Sequence, residues 1–374
     1  SKLSFVLYKT MNAYAALNHK EEKVKKVVTF GEIMLRLKSP SHERFFQSPV
    51  LEATFGGGEA NVAVSLSLFG EKGVFVSSLP DNPVGDGAVQ SLKKYGVDTS
   101  LVLRKSGRLG IYFLETGSMQ RPSNVVYDRD ASCISMVKPG DIEWGKIFSG
   151  KADGTNEKAS WFHITGITPA LSQSAADSAL EAVKEAKKEG VTVSVDLNYR
   201  KKLWQYGKKA PEVMRELVKF ADVIIANEED IQKCLGIEAQ VDVSSGKLDI
   251  EAYKKLTAQV KKDFPNISIV AVTLRESISA DKNGWSGALS GKTGFYLSKH
   301  YDLDDIEDRV GGGDSFSAGL IYGLLNYAEN EEYALNFAVA ASALKHSISG
   351  DFNLTTKAEV EALCKGDGSG RVQR

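Results

Sequence analysis

With 374 residues, 42% of them hydrophobic and 25% charged, the chain has the make-up of an ordinary globular protein with one large core or two modest ones. A formal net charge of −1 excludes the broad positive field of a nucleic-acid or anionic-membrane binder, so an anionic ligand would have to be met by a few local cations. Cys133, Cys234 and Cys364, like the five histidines at 19, 42, 163, 300 and 346, are too scattered for a disulfide framework or a zinc site.

Residues 1–26 read as an N-terminal extension. The apolar run within Ser1–Tyr8 is too short for a signal-peptide core, and no stretch reaches the ~20 apolar residues of a membrane span, which predicts a cytoplasmic protein with no membrane partner. Val27–Phe30 then has the pattern of a buried strand and runs into Gly31-Glu32. Ala60–Phe69 has helical spacing, with Val62, Leu66 and Phe69 on one face and Gly70 at its end. Val74–Ser77 is a short strand, and Gly85–Tyr95 a helix stopped by Gly96. From Leu101 to Met136 the pattern changes. Leu101–Arg104, Gly110–Glu115 and Asn124–Tyr127 are short β-rich runs divided by Gly, Ser and Pro, which predicts a small antiparallel sheet inserted into a larger body.

Beyond it, strands and helices alternate. Trp161–Ile164 precedes a helix over Gln173–Glu189, Val191–Val195 one around Pro211–Phe220, and Val223–Ala226 one over Glu228–Leu235. A helix over Tyr253–Lys262 leads to a strand at Ile267–Leu274, and Trp285–Leu289 with Thr293–Leu297 reads as a hairpin. Helices over Ser315–Asn326, Glu331–His346 and Thr356–Leu363 complete the body, and 365–374 reads as a Gly-rich tail. Such alternation implies right-handed crossovers and a parallel sheet covered on both faces.

The stretch with most chemistry is Asp308-Arg309-Val310-Gly311-Gly312-Gly313-Asp314-Ser315-Phe316, just before an apolar helix. Three glycines let bare N–H groups approach a ligand, and a helix start adds unpaired donors and a positive dipole end, which suit an anion. By itself the turn also serves as a helix cap. Upstream, Phe55-Gly56-Gly57-Gly58-Glu59-Ala60-Asn61-Val62-Ala63 is a glycine turn entering a helix, and Ala226-Asn227-Glu228-Glu229-Asp230 ends a strand with an acidic helix start. Gly287-Ala288-Leu289-Ser290-Gly291-Lys292-Thr293 ends like a Walker A loop, but its glycines are one residue too close and it falls between two strands, so a hairpin turn is the better reading.

In this order the three motifs resemble those of the ribokinase-like (PfkB-type) carbohydrate kinases, over roughly Val27 to Leu363. The family's signature is Asp-Thr-x-Gly-Ala-Gly-Asp-x-Phe; here Arg309 stands for Thr and Gly312 for Ala. The resemblance implies an α/β, three-layer αβα fold with a mostly parallel central sheet and a small β-rich lid. The kinase domain would span 27–364, with the lid formed by segments within about 33–55 and 101–136. It implies that Asp314 is the catalytic base, that the amides of Gly311, Gly312 and Gly313 form an anion hole, and that Gly57, Gly58 and Asn61 meet the sugar. ATP and Mg²⁺ are the expected cofactors, with dependence on a monovalent cation left open. Asn227 and Asp230 match the Asn-x-x-Glu motif that positions Mg²⁺ and its waters, with Glu229 as the neighbouring candidate. Asn198, Asn227, Thr273, Arg275, Gly311, Gly313 and Ala340 fall on the nucleotide side. Val339–Leu344 reads equally as a core helix, and Arg275-Glu276 departs from the family's usual Leu-Gly-x-x-Gly continuation.

Several residues further resemble the branch of that family acting on 2-keto-3-deoxygluconate: Ile111-Tyr112-Phe113, Val126-Tyr127-Asp128-Arg129, Asp196-Leu197-Asn198-Tyr199-Arg200 and Gly350-Asp351-Phe352-Asn353. That likeness assigns Arg129 and Arg200 to a sugar acid's carboxylate and Tyr112 and Tyr127 to its oxygens, with Gly31 as a site of close backbone approach. A guanidinium fits a carboxylate's two-pronged geometry. The expected partners are the sugar acid, ATP and a second copy of the chain paired through the lid. A neutral-ketose kinase such as a fructokinase, and a non-catalytic sugar-binding protein, are the competing readings.

Overall fold

The computed structural model describes residues 23–238 and 249–368; the expected extension up to residue 22 and the tail from 369 lie outside the described residues. The chain opens with β1 (Lys26–Phe30), then sends β2 (Met34–Lys38) and β3 (Glu52–Gly56) out of the body before the Gly58–Leu68 helix returns it to β4 (Lys72–Val76). β5 (Ser78–Pro80), the Pro83–Lys93 helix and β6 (Leu103–Lys105) follow, and β7 (Ile111–Glu115) with β8 (Asn124–Asp128) leave the body again. Next come β9 (Trp161–Thr165), β10 (Thr192–Asp196), β11 (Val223–Ala226) and β12 (Ile269–Ser277), with helices at Gln173–Lys188, Ala210–Val218, Glu228–Leu235 and Ile250–Asp263 between them. β13 (Lys282–Ser290), β14 (Phe295–Leu297) and β15 (Tyr301–Asp304) precede the helices Gly312–Asn326, Glu331–Lys345 and Lys357–Cys364.

The main sheet is nine-stranded, in the order β14-β13-β12-β11-β10-β9-β1-β4 with β15 paired to β13. From β4 to β12 every neighbour is parallel, and the β12-β13-β14 edge is antiparallel. Alternate residues of one strand feed different cores: Val28 and Phe30 pack with the Gln173–Lys188 and Ala210–Val218 helices, Val27 with the Gly312–Asn326 and Glu331–Lys345 helices. Burial on both faces explains why the strands read as apolar runs, and the three-layer expectation holds. No helix among the described residues is long and apolar enough to cross a membrane.

The lid sheet has the order β3-β2-β7-β8. Two details differ from expectation. Its central pair, β2 with β7, is parallel, because the two strands are joined by a long excursion through the body instead of a hairpin. Leu103–Lys105 pairs with β5 in a separate two-stranded sheet and takes no part in the lid.

Candidate active site

The Gly312–Asn326 helix is buried on nearly every side, so packing against Glu331–Lys345 drives its start to the mouth of a cleft at the carboxyl ends of the parallel strands, where open α/β sheets bind ligands. Gly311 precedes it at φ 82°, and a Cβ there would lie 2.1 Å from the Asp351 carbonyl oxygen, so only glycine fits. A Cβ at Gly313 would meet only open space, which leaves its backbone accessible at a helix start whose amides lack intrahelical partners. Asp314 stands in the first turn and lines the cleft. Asn61 Nδ2 donates to Asp314 Oδ2 at 2.7 Å, and the Asn61 Oδ1 accepts from the Gly57 amide at 3.2 Å, so the two glycine turns are joined through one amide side chain. Burial lifts the Asp314 carboxyl to about 6; the Asn61 bond opposes that rise and Asp351 adds to it. A base half-ionised near pH 6 suits abstraction of a proton from an alcohol at neutral pH.

The cleft has a volume of about 310 Å³. Gly57, Gly58, Asn61, Tyr112, Tyr127 and Arg129 line it on the lid side, and Asn198, Arg200, Asn227, Asp230, Thr273 and Arg275 on the side of β10 to β12, with Gly311, Gly312, Gly313 and Asp314 between. Three expected residues are elsewhere. Gly31 packs on Glu59: a Cβ there would fall 2.0 Å from Glu59 Oε2, so the missing side chain makes room for a carboxylate and not for a sugar. Ala340 is fully buried in the core between helices, which corrects its placement against a nucleotide. Glu229 is exposed and outside the cleft, because the helix start turns Asp230 inward instead.

Several cleft side chains already have partners. The Tyr112 hydroxyl donates to Asp351 Oδ1 at 2.6 Å. Arg129 Nη2 is ion-paired with Glu32 Oε2. Asp230 accepts from the Asn227 amide at 3.1 Å and the Tyr199 amide at 2.9 Å, a capping box in which Asn227 returns a bond to the Asp230 amide at 2.8 Å. Arg200 is exposed, and Arg275 lies over the Trp285 ring at 5.6 Å. The Walker-like loop is a hairpin turn whose Lys292 and Thr293 amides are held by Glu331 at 2.8 and 3.2 Å, leaving no phosphate cradle.

Sequence reasoning missed a buried ionic frame behind the site. Arg36 of β2 donates to Asp308 and, at 2.9 Å, to Asp351 Oδ1, while Asp308 Oδ1 and Oδ2 each accept an amide at 3.0 Å, from Val310 and Gly350. This frame ties the lid to the glycine turn. Glu59, buried, accepts from the Thr165 amide at 2.8 Å, and burial lifts its carboxyl to about 7. Asp196, at the end of β10, is pushed well above the usual carboxylate range by burial, then by Asp230 and Asp314. The one signal available was position: Asp196 ends a strand at the ligand edge, and Asp351 follows a glycine behind a core helix. Among the described residues no three His, Cys, Asp or Glu side chains converge as a metal cage.

Comparison with known proteins accords with this geometry. The family model for the pfkB family carbohydrate kinases matches residues 24–356. A 2-dehydro-3-deoxygalactonokinase of Haloferax volcanii is 32% identical over 344 residues, 92% of this chain and 98% of the relative. A 2-dehydro-3-deoxygluconokinase of Thermoproteus tenax is 27% identical, over 91% of this chain and 94% of its own. The crystal structure of 2-dehydro-3-deoxygluconokinase from Thermotoga maritima superposes with a TM-score of 0.83 at 46% identity, covering 91% of this chain and 100% of that one. With its parallel sheet, its lid and an aspartate at a glycine-lined helix start, this chain belongs to the pfkB family of carbohydrate kinases.

Proposed function

We propose that this sugar kinase transfers the γ-phosphoryl group of ATP to the primary 6-hydroxyl of 2-keto-3-deoxygluconate. One observation carries the reading: a single cleft holds Asp314 at the helix start together with Arg129, already paired with Glu32, and the exposed guanidinium of Arg200, which a neutral sugar would leave without a carboxylate to meet. A charge-assisted hydrogen bond contributes ~1.5–3 kcal/mol, enough to separate a sugar acid from fructose. The names of the Haloferax, Thermoproteus and Thermotoga relatives support the same substrate class.

In this mechanism the sugar acid lies under the lid with its hydroxyl end toward Asp314. Asp314 accepts the hydroxyl proton as that oxygen attacks the γ-phosphorus in line and the bond to the β-phosphate oxygen breaks. Asn61 keeps the carboxylate aimed and ionised. The amides from Gly311 to Gly313 and the helix dipole stabilise charge on the phosphoryl oxygens. The lid, held by Arg36 to Asp308 and Asp351, excludes water that would hydrolyse ATP. Asn227 and Asp230 fit Mg²⁺ held through water: both Asp230 oxygens already accept amides, and Mg²⁺ keeps much of its hydration shell. When bound, the ion supplies positive charge that neutralises the phosphates. Val126 on the outer lid strand β8 is 47% exposed, which supports pairing of lids between two copies of the chain.

The test is an ADP-release screen over 2-keto-3-deoxygluconate, its galactonate-derived epimer, fructose and ribose. Preferred turnover of the sugar acids is expected; equal or faster turnover of fructose would overturn the substrate, and no ADP release with any sugar would overturn the activity.

A further inference from the structure

The two guanidiniums assigned to the sugar carboxylate are not equivalent. Arg200 is exposed; its Nη1 donates to the Tyr199 carbonyl at 2.9 Å, and among the described residues no carboxylate is ion-paired with it. Arg129 is 7% exposed and paired with Glu32, itself 3% exposed. Glu32 is locked from three sides. Its Oε2 meets Arg129, its Oε1 accepts from Ser132 Oγ at 3.2 Å, and Gly110 packs so closely that a Cβ there would lie 2.6 Å from Oε1. The Arg129 Nε is buried with no hydrogen-bond partner although the residue lines the cleft, and the Tyr127 ring lies 5.2 Å from its Cζ.

We infer that Glu32 is a specificity-determining residue: it holds Arg129 as a charge-neutralised donor that orients the sugar, so that of these two guanidiniums Arg200 is the one that supplies net positive charge selecting an acid. This rests on the sugar-acid reading above. A buried guanidinium without a counter-ion would be strongly unfavourable in the empty enzyme, and Glu32 removes that penalty. The same negative charge then opposes a substrate carboxylate brought to Arg129, at short range and in a poorly screened site. Glu32 therefore sets how tightly the acid binds without touching it.

Glu32→Gln tests this, because glutamine keeps an oxygen for Arg129 and a polar partner for Ser132 while losing the charge. Calorimetric binding of 2-keto-3-deoxygluconate should tighten about tenfold over wild type, while that of fructose changes less than about twofold. Unchanged or weaker binding of the acid, or an equal shift for both sugars, would overturn the inference. Should that variant not fold, Glu32→Gln combined with Arg129→Gln removes the pair at no change in net charge. The ratio of acid to fructose kcat/KM should then stay within about threefold of wild type, whereas its collapse would assign the selecting charge to Arg129. A wild-type enzyme with no preference for the acid would instead defeat the sugar-acid reading itself.

Discussion

Asn61→Ala gives the most direct readout of the base at position 314. Asn61 Nδ2 donates to Asp314 Oδ2 at 2.7 Å, a bond to a charged acceptor and so worth ~1.5–3 kcal/mol. It favours the ionised carboxylate and opposes the burial that lifts the group to about 6. At roughly 1.4 kcal/mol per pH unit, losing it should raise the carboxyl by a further 1–2 units or so. A base acts only when ionised, so rate is lost as pH falls through this value. In the wild type, kcat/KM for the sugar acid should therefore be flat above about pH 7 and fall about fivefold between pH 6 and 5. In Asn61→Ala the fall should begin near pH 8. The variant also frees the Gly57 amide, which bonds Asn61 Oδ1 at 3.2 Å; a looser turn would lower the rate at every pH without moving the limb. The position of the limb is thus the decisive measurement, taken from initial rates of ADP release at fixed saturating ATP. A limb that stays near pH 6, or moves to lower pH, would refute Asp314 as the base poised by Asn61.

Three further outcomes are expected. Asp314→Asn should lower kcat by about 10²–10⁴ while ATP binding, read by calorimetry, stays within a factor of a few; near-normal turnover would remove the assigned base. Arg36→Met leaves Asp308 and Asp351 as buried charges without their partner and should cost about 3–5 kcal/mol in chemical denaturation; a neutral result would show that the frame does not hold the lid. Gly311→Ala puts a Cβ 2.1 Å from the Asp351 carbonyl at φ 82°, so kcat should fall and the melting temperature with it, and an unchanged enzyme would mean the turn is not held as described.

Much of the fold was legible because its determinants are local. Glu228–Leu235 carries its cap at Asn227 and its stop at Gly236, so its bounds could be read directly. Errors came where local signals were silent on partners. Leu103–Lys105 has the same short β pattern as the lid strands, and only the position of Ser78–Pro80 draws it to the body. Gly31 and Gly57 both follow or precede motif residues, yet one clears space for Glu59 and the other lines the cleft. The alanine at 340 has only a methyl group, which marks it as neither core nor site, and its helix reads the same either way.

By itself the sequence determined the alternation of strands and helices, the glycine turn before an apolar helix, and Asp314 within it, since each depends on residues a few positions apart. Which charges are free and which are cancelled was decided by tertiary structure alone. Arg129 meets Glu32 across 97 positions, Asn61 meets Asp314 across 253, and Arg36 meets Asp308 across 272. The physical reason is that a charge is neutralised by whatever lies within a few ångströms, and only the closing of the sheet and the docking of the lid bring those partners together.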